Sequence, residues 1–427
     1  MASKPSVAAA NSLAVALTPI EHALPNGLRI RLLPDRRSQV LSYQTFFRVG
    51  SRDEKVGRTG IAHLFEHMMF NGATRYGPKE FDRQLERHGG SSNAYTSNDL
   101  TVYHEEVPAE ALDLVIDLES DRMAGLRLSE EALQSEREVV KEERRLRVED
   151  SVFGRLDEEI GALLYQAHPY HWPVIGWMGD LDRIMLDDCE AFFASYYAPN
   201  NATIYLAGDF DPEETIVKLS RAYGGLSAGP GTEPVPWNEP EQRGQRRAQL
   251  NVPAQSPALL LGFRGLAADD ARAPALDLLA SLLANGDGSL LVRELVHRRQ
   301  LCTEVSCDHG WRLAPGSFLL AAELAPGVTP KRVERALLEQ FEALSARPVS
   351  APELTRAKAQ LRVGLLRELQ TAAGRAHALG NAEHLLGGLA AAKGQLGRIE
   401  AVTREALREA AAAVFQVERS ALVWVDP

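Results

Sequence analysis

The sequence predicts a mixed α and β fold with two similar lobes. Runs typical of β-strands occur in both halves of the 427 residues, at 28–33, 202–207, 259–263 and 421–425. Long stretches with helical periodicity lie between these runs. The chain is also longer than one ordinary hydrophobic core accommodates, which indicates two domains or two large lobes.

A segment rich in glycine and proline divides the chain nearly in two. Residues 224–240 contain four glycines and four prolines. Because both residue types interrupt helices and strands, we expect a linker in this part of the chain. The predicted boundaries are therefore a first lobe at 1–228, a linker at 229–246 and a second lobe at 247–427.

The first lobe contains the motif His-x-x-Glu-His at His63, Glu66 and His67. On a helix, histidines four residues apart lie on one face, where two neutral imidazoles can bind a divalent metal. Glu66 would then lie beside the metal, where it can act as a general base. Thr59 as an N-cap and Asn71-Gly72 as a stop predict that the motif is helical.

A second predicted helix, from Ser129 to about residue 150, offers a third metal ligand. Catalytic zinc usually takes three protein ligands and keeps one position open. Glu136 and Glu143 lie two helical turns apart, so one carboxylate can bind the metal while the other orients a ligand. The alternative is a solvated acidic face. The apolar side of this helix is expected to consist of four residues, Leu133, Val139, Val140 and Leu146.

Together these segments resemble the M16 metallopeptidases, the inverzincins, in which His-x-x-Glu-His is followed about 75 residues later by Glu-Arg-x-Val-Val-x-x-Glu. Residues 136–143 match that pattern, and Glu143 lies 76 residues after His67. The resemblance implies one zinc ion per chain, held by His63, His67 and Glu143. It also implies that Glu66 is the general base and Glu136 a supporting carboxylate. Glu142 remains the competing choice for the third ligand.

The resemblance continues through Asn93-Ala94-Tyr95-Thr96. In such peptidases this strand lies at the edge of a sheet beside the metal, and an extended substrate pairs with it through main-chain hydrogen bonds. Asn93 and Ala94 are therefore candidate substrate-binding residues. The alternative is an ordinary polar turn before a strand at 100–107.

The same resemblance implies an α+β fold in which each lobe is a mostly antiparallel sheet covered by helices, the two lobes forming half of a clamshell. A weak internal repeat relates Asn71-Gly72 to Asn285-Gly286 and residues 202–206 to 421–425. At the first of these offsets, the motif residues correspond to Asp277, Ala280 and Ser281. The second lobe is therefore expected to lack metal.

The M16 enzymes that this chain resembles carry an arginine and a tyrosine, seven residues apart, in a metal-free lobe. These two side chains stabilise the oxyanion of the tetrahedral intermediate. In this chain the arginine position is Val296 and the tyrosine position is Thr303. A shifted alignment would place Arg298 or Arg299 there, but the sequence contains no tyrosine after Tyr223. Both donors are therefore expected to be missing.

This departure predicts a heterodimer, in which a homologous metal-free subunit supplies the arginine and the tyrosine. Short-chain M16B peptidases, including the mitochondrial processing type, resemble this plan. We expect a metalloendopeptidase in which zinc and Glu66 activate water to hydrolyse peptides or unfolded polypeptides. The main alternative is a non-catalytic structural or assembly subunit of the same fold. A separate metal pair at His168 and His171 is a further alternative, which Pro169 disfavours.

Composition limits the other classes of function. A net charge of −11 disfavours a nucleic-acid or anionic-membrane binder. The sequence contains no stretch of 18 apolar residues, so no membrane span is predicted. Three isolated cysteines, Cys189, Cys302 and Cys307, indicate neither a disulfide framework nor a zinc site. We expect a cytoplasmic protein, with the periplasm as the alternative.

Overall fold

The computed structural model describes residues 17–231 and 237–426. Its strands are β1 (Ile20–Ala23), β2 (Arg29–Pro34), β3 (Val40–Phe47), β4 (Ser91–Thr96), β5 (Thr101–Pro108), β6 (Ala202–Gly208), β7 (Arg246–Leu250), β8 (Ala258–Arg264), β9 (Cys302–His309), β10 (Ser317–Leu324) and β11 (Ser420–Val425). The helices of the described residues before the glycine- and proline-rich segment are α1 (Ile61–Met68), α2 (Glu80–Arg87), α3 (Leu112–Gly125), α4 (Glu130–Arg144), α5 (Val152–Leu164), α6 (Met178–Leu181), α7 (Leu186–Tyr196) and α8 (Pro212–Tyr223). After it come α9 (Ala273–Ala284), α10 (Pro330–Ala346), α11 (Ala351–Glu368), α12 (Ala372–Leu385), α13 (Ala390–Ala401) and α14 (Arg404–Val414).

These elements are divided between two compact units. The first unit comprises Met1–Glu142, Pro173–Pro236 and Arg367–Lys393, and the second comprises Glu143–Trp172, Trp237–Leu366 and Gly394–Pro427. This division differs from the predicted boundaries at 1–228, 229–246 and 247–427, because each unit includes a helical segment from the other half of the sequence. Residues 1–16 of the predicted first lobe and 232–236 of the predicted linker lie outside the described residues.

The first unit contains a six-stranded sheet with the order β1-β2-β6-β3-β5-β4. Only β2 and β6 pair in parallel, and the other neighbours are antiparallel. Alternate side chains of β3 and β5, such as Tyr43, Phe47 and Tyr103, enter a core shared with α1, α3, α7 and α8. Strand β4 lies at the edge, where β5 is its neighbour in the sheet.

Helix α12 covers the opposite face of this sheet, over β3 and β6. The contact is close because Gly380 faces the Phe46 ring, and a Cβ atom added at Gly380 would lie 2.2 Å from Phe46 Cζ. Ion pairs strengthen the contact: Glu383 Oε1 lies 2.7 Å from Arg31 Nη2 and 3.1 Å from Arg29 Nη1. A helix from the end of the chain is thereby part of the first unit.

Replacing Gly380 by Ala is expected to lower the free energy of unfolding by about 2 kcal/mol, because the added methyl group overpacks the Phe46 contact. Gly364 in α11 is the matched control, since nothing lies within 4 Å of a Cβ placed there. The Gly364→Ala variant should gain about 0.5–1 kcal/mol from helix propensity alone. Urea unfolding of both variants measures the difference. Equal stability changes would show that α12 does not require glycine at its contact with the sheet.

The second unit contains a five-stranded sheet with the order β7-β11-β8-β10-β9. Here too one pair, β7 and β11, is parallel and the others are antiparallel. One face packs against α9, α10 and α14, with Phe263 and Phe341 at the centre. The other face is covered by α5, whose Ile160 and Leu164 pack with Val423 of β11.

The two sheets thus share one strand order, β2-β6-β3-β5-β4 in the first and β7-β11-β8-β10-β9 in the second. The predicted fold class is confirmed: each of two similar lobes is a mostly antiparallel sheet covered by helices. Within the described ranges, none of the helices has the length and apolar content that crossing a bilayer requires.

Candidate metal centre

Helix α1 carries the His-x-x-Glu-His motif, and a buried carboxylate caps its first turn. Gly60 is the N-cap, and Glu54 accepts hydrogen bonds from the N–H groups of Gly60 and Ala62, both at 2.9 Å. An acceptor here satisfies donors that have no partner within the helix. Burial raises the pKa of the Glu54 carboxyl. The predicted capping role of Thr59 was wrong, because its hydroxyl donates instead to Asp180 at 2.8 Å.

The apolar residues of α1 fix which face carries the motif. Leu64, Phe65 and Met68 are fully buried in the core of the first unit. His63, Glu66 and His67 are half-buried on the remaining face. The helix ends at Met68, and Gly72, with a φ of 97°, turns the chain, so the predicted stop at Asn71-Gly72 is close to the observed end.

Helix α4 begins as predicted, with the Ser129 hydroxyl accepting a hydrogen bond from the N–H of Ala132 at 3.2 Å. Leu133 and Val140, two turns apart, are fully buried. The expected burial of Val139 and Leu146 was wrong, since they are 49% and 63% exposed. The buried side of α4 is therefore a narrow stripe. A π-helical turn at Arg145–Glu149 follows the helix.

The structure brings the three predicted metal ligands together. The ligand atoms of His63, His67 and Glu143 all lie within 4.8 Å of one another, and the two imidazole centroids are 4.9 Å apart. Two imidazole nitrogens and a carboxylate oxygen form a donor set that zinc commonly takes in hydrolytic sites. Glu143 Oε1 also lies 3.0 Å from Nε of Arg147, whose side chain is largely exposed.

Glu136 is positioned to orient one of these imidazoles. Its Oε2 lies 3.5 Å from His67 Nδ1. Partial burial opposes ionisation of Glu136, but its interactions with His67 and Asn71 together outweigh burial and hold the pKa of the carboxyl below its usual value. A proton on Nδ1 makes Nε2 the nitrogen with the lone pair that a metal needs.

Glu66 contacts a residue that sequence reasoning did not single out for this role. The Thr96 hydroxyl donates a hydrogen bond of 2.5 Å to Glu66 Oε2. Thr96 ends β4, whose Ala94 packs on the same core as α1, so both residues lie on the face of the strand next to that helix. The alternation of side chains along a strand was the signal that could have identified Thr96, because it places Thr96 on the same face as Ala94.

Strand β4 also carries the candidate substrate-binding residues. Its position at the sheet edge agrees with the expectation, and the alternative of a turn for Asn93 and Ala94 is excluded because both lie within the strand. Asn93 is exposed and Ala94 is half-buried.

The second unit has different residues at the corresponding positions. Asp277, which aligns with His63, accepts hydrogen bonds from Trp311 Nε1 at 3.0 Å and from His309 Nδ1 at 2.7 Å. Val296 is partly buried against the second core, and Thr303 lies in β9. These two positions hold neither an arginine nor a tyrosine.

The two arginines that a shifted alignment would use are engaged locally. Arg298 lies 3.3 Å from Glu294, while Arg299 contacts both Glu294 at 2.6 Å and Glu339 at 2.9 Å. A catalytic arginine would have to leave these ion pairs.

Among the residues that the structure describes, the alternative metal pair at His168 and His171 is not part of a three-ligand group. His168 Nδ1 accepts from the N–H of Tyr170 at 3.2 Å, and His171 Nδ1 lies 2.9 Å from the His168 carbonyl oxygen. Both side chains thus bond within their own turn. Across residues 17–231 and 237–426, His63, His67 and Glu143 are the group of three that could hold an ion.

The two sheets share one strand order, and a His-x-x-Glu-His helix lies beside a glutamate from a second helix. This combination is typical of two-lobed proteins with a metallohydrolase centre. The family model described as insulinase, peptidase family M16, matches residues 33–176, and the model described as the M16 inactive domain matches residues 183–361. The chain belongs to the M16 peptidase family, which confirms the resemblance seen in the sequence.

Individual relatives agree with this assignment. Zinc protease PqqE of Helicobacter pylori is 31% identical over 353 residues, covering 82% of this chain and 79% of that protein. A probable mitochondrial-processing peptidase subunit beta of Arabidopsis thaliana is 25% identical over 357 residues, covering 80% of this chain and 66% of that protein. A crystal structure of a protease from Helicobacter pylori has a TM-score of 0.92 at 28% identity, covering 96% of this chain and all of that one.

Proposed function

We propose that this chain is a zinc-dependent endopeptidase acting on peptides or unfolded polypeptides. The observation that carries the proposal is the grouping of His63, His67 and Glu143, with Glu66 on the same face of α1. The names of relatives support it, since several are called zinc proteases. The edge strand β4 beside α1 supplies a place for an extended substrate.

Zinc held by these ligands would supply Lewis acidity, which lowers the pKa of a water molecule and polarises a carbonyl group. Glu66 would take a proton from the attacking water while the water oxygen bonds to the carbonyl carbon. The same carboxyl would then deliver that proton to the amide nitrogen as the C–N bond breaks. Thr96 holds Glu66 in place through its hydrogen bond to Oε2.

Substrate binding is assigned to the edge of β4. An extended peptide would add to the sheet as a further strand, with main-chain hydrogen bonds near Asn93 and Ala94. Such pairing is largely independent of side chains, which suits a peptidase for unfolded segments. It also places the substrate backbone beside the strand whose Thr96 contacts Glu66.

We further propose that activity requires a homologous partner subunit. The oxyanion needs donors, and the positions that would supply an arginine and a tyrosine are Val296 and Thr303 in this chain. Their replacement, together with the ion pairs of Arg298 and Arg299, supports a heterodimer in which a metal-free subunit contributes both groups.

Replacing Glu143 by Gln is expected to weaken zinc binding by about a hundredfold or more, because even residues behind the ligands change metal affinity by 10–100-fold. Glu142→Gln is the matched control: it makes the same chemical change one residue away and should leave zinc content unchanged. Metal analysis after dialysis, with hydrolysis of a fluorogenic peptide library, gives both readouts.

The two variants separate the alternatives. Loss of zinc in Glu142→Gln alone would make Glu142 the third ligand. Tight zinc binding without hydrolysis, by this chain alone and with its partner, would instead support a non-catalytic subunit.

A further inference from the structure

Strand β4 is held on the face that points away from α1. Tyr95 Oη lies 3.1 Å from His377 Nε2 in α12, and the two rings meet edge to face with centroids 5.9 Å apart. The two residues are 282 positions apart in sequence. Because side chains alternate along a strand, Tyr95 and the neighbouring Thr96 anchor β4 from opposite faces.

A carboxylate lies on the far side of the imidazole. Glu368, the last residue of α11, lies 3.4 Å from His377 Nδ1 through its Oε1. The Tyr95 hydroxyl donates to Nε2 when the imidazole carries its proton on Nδ1, the nitrogen that faces Glu368. The Asn381 amide nitrogen also borders the ring, 3.3 Å from Nδ1 and 3.4 Å from Nε2. Burial raises the pKa of Tyr95, so the hydroxyl keeps its proton and remains a donor.

Helix α12 is a firm support for this contact. The Gln44 side chain donates to the Ala373 carbonyl oxygen at 3.0 Å, and Glu383 accepts a 2.8 Å bond from the Tyr205 hydroxyl. These bonds fix α12 to β3 and β6 along its length. A strand tied to α12 therefore has a defined position relative to the sheet.

We propose that Tyr95, His377 and Glu368 form a positioning array that holds the edge strand ready for a peptide to pair with it. The inference rests on the proposed function, since it concerns how the same site binds its substrate. An edge strand that is already ordered loses less conformational freedom when a peptide adds to it. The array contacts neither the metal ligands nor Glu66 directly, and Thr96 has its own hydrogen bond to Glu66, so we expect the array to act mainly on peptide binding.

The test compares Tyr95→Phe, His377→Ala and the double variant. Each single variant is expected to raise KM about fivefold, the size of one hydrogen bond's net contribution, with kcat within about twofold of wild type. The double variant should also raise KM about fivefold rather than 25-fold, because both changes remove one shared contact. All are measured on the zinc-loaded protein, with the partner subunit if wild type requires it.

Tyr76→Phe is the matched control. It removes another tyrosine hydroxyl bond in the first unit, from Tyr76 to Asp117, away from β4. If loss of any tyrosine hydroxyl bond in the first unit disturbed peptide binding, KM would rise in this variant too, whereas positioning of β4 predicts no change. An unchanged KM in Tyr95→Phe, or additive effects in the double variant, would overturn the array.

Peptide binding separates this proposal from the proposed function. The Kd of a fluorescent peptide is measured in a Glu66→Gln background, where binding does not depend on cleavage. Suppose that Tyr95→Phe raises the Kd fivefold but the wild-type protein does not hydrolyse peptides. This outcome would support the array and refute the proposed peptidase activity. Absence of peptide binding to any variant would refute both.

Discussion

Glu66→Gln is expected to reduce peptide hydrolysis about a thousandfold while zinc stays bound. General bases contribute roughly 10²–10⁴ to such rates, and an amide cannot take the proton of the attacking water. Glutamine has nearly the shape of glutamate and can still accept the hydrogen bond that Thr96 donates to Oε2 of Glu66. The loss should therefore appear in kcat, with little change in KM.

Steady-state hydrolysis of a fluorogenic peptide and metal analysis of the same samples measure this effect. Glu86→Gln is the control, since Glu86 is an exposed residue of α2 and undergoes the same chemical change. Its activity should remain within about twofold of wild type. Retained turnover in Glu66→Gln would remove Glu66 as the base, and loss of zinc would show that it has a ligand role.

The second large effect is the dependence on a partner. Hydrolysis by the zinc-loaded chain alone is expected to be at least about a hundredfold slower than in a mixture with a homologous subunit that carries the arginine and the tyrosine. Loss of a single oxyanion donor costs roughly 10²–10³ in kcat, and Val296 and Thr303 supply neither group here.

The matched control is the same mixture with the partner's tyrosine changed to phenylalanine, which keeps the fold and removes the donor. This mixture should be nearly as slow as the chain alone. Full activity of the chain alone would mean that it provides its own donors, for example by releasing Arg298 from Glu294.

The grouping of the candidate metal ligands was predictable because its information is local. His63, Glu66 and His67 share one helical turn, and Glu136 and Glu143 share one side of a second helix, so spacing alone placed each group on a common face. The resemblance to M16 peptidases then joined the two helices. In the structure, the ligand atoms of His63, His67 and Glu143 lie within 4.8 Å of one another, and Glu136 lies 3.5 Å from His67.

The residues that cap helix α1 were harder to predict from the sequence. Glu54 caps α1 from six residues before Gly60, a spacing that no standard capping motif describes. Thr59 was expected in that role from residue type, but its hydroxyl is used by Asp180, 121 residues away. Capping by a distant or irregularly spaced group depends on how the loop folds over the helix end.

The sequence by itself determined the candidate metal ligands and the two-lobed α and β fold, because helical and strand periodicities record which faces are buried. Only the tertiary structure decided which sheet each helix covers. Helix α12 lies on the first sheet because Gly380 admits the Phe46 ring, and α5 lies on the second because Ile160 fits against β11. Such complementarity between distant surfaces leaves no periodic signal along the chain, and the same holds for the contact between Tyr95 and His377.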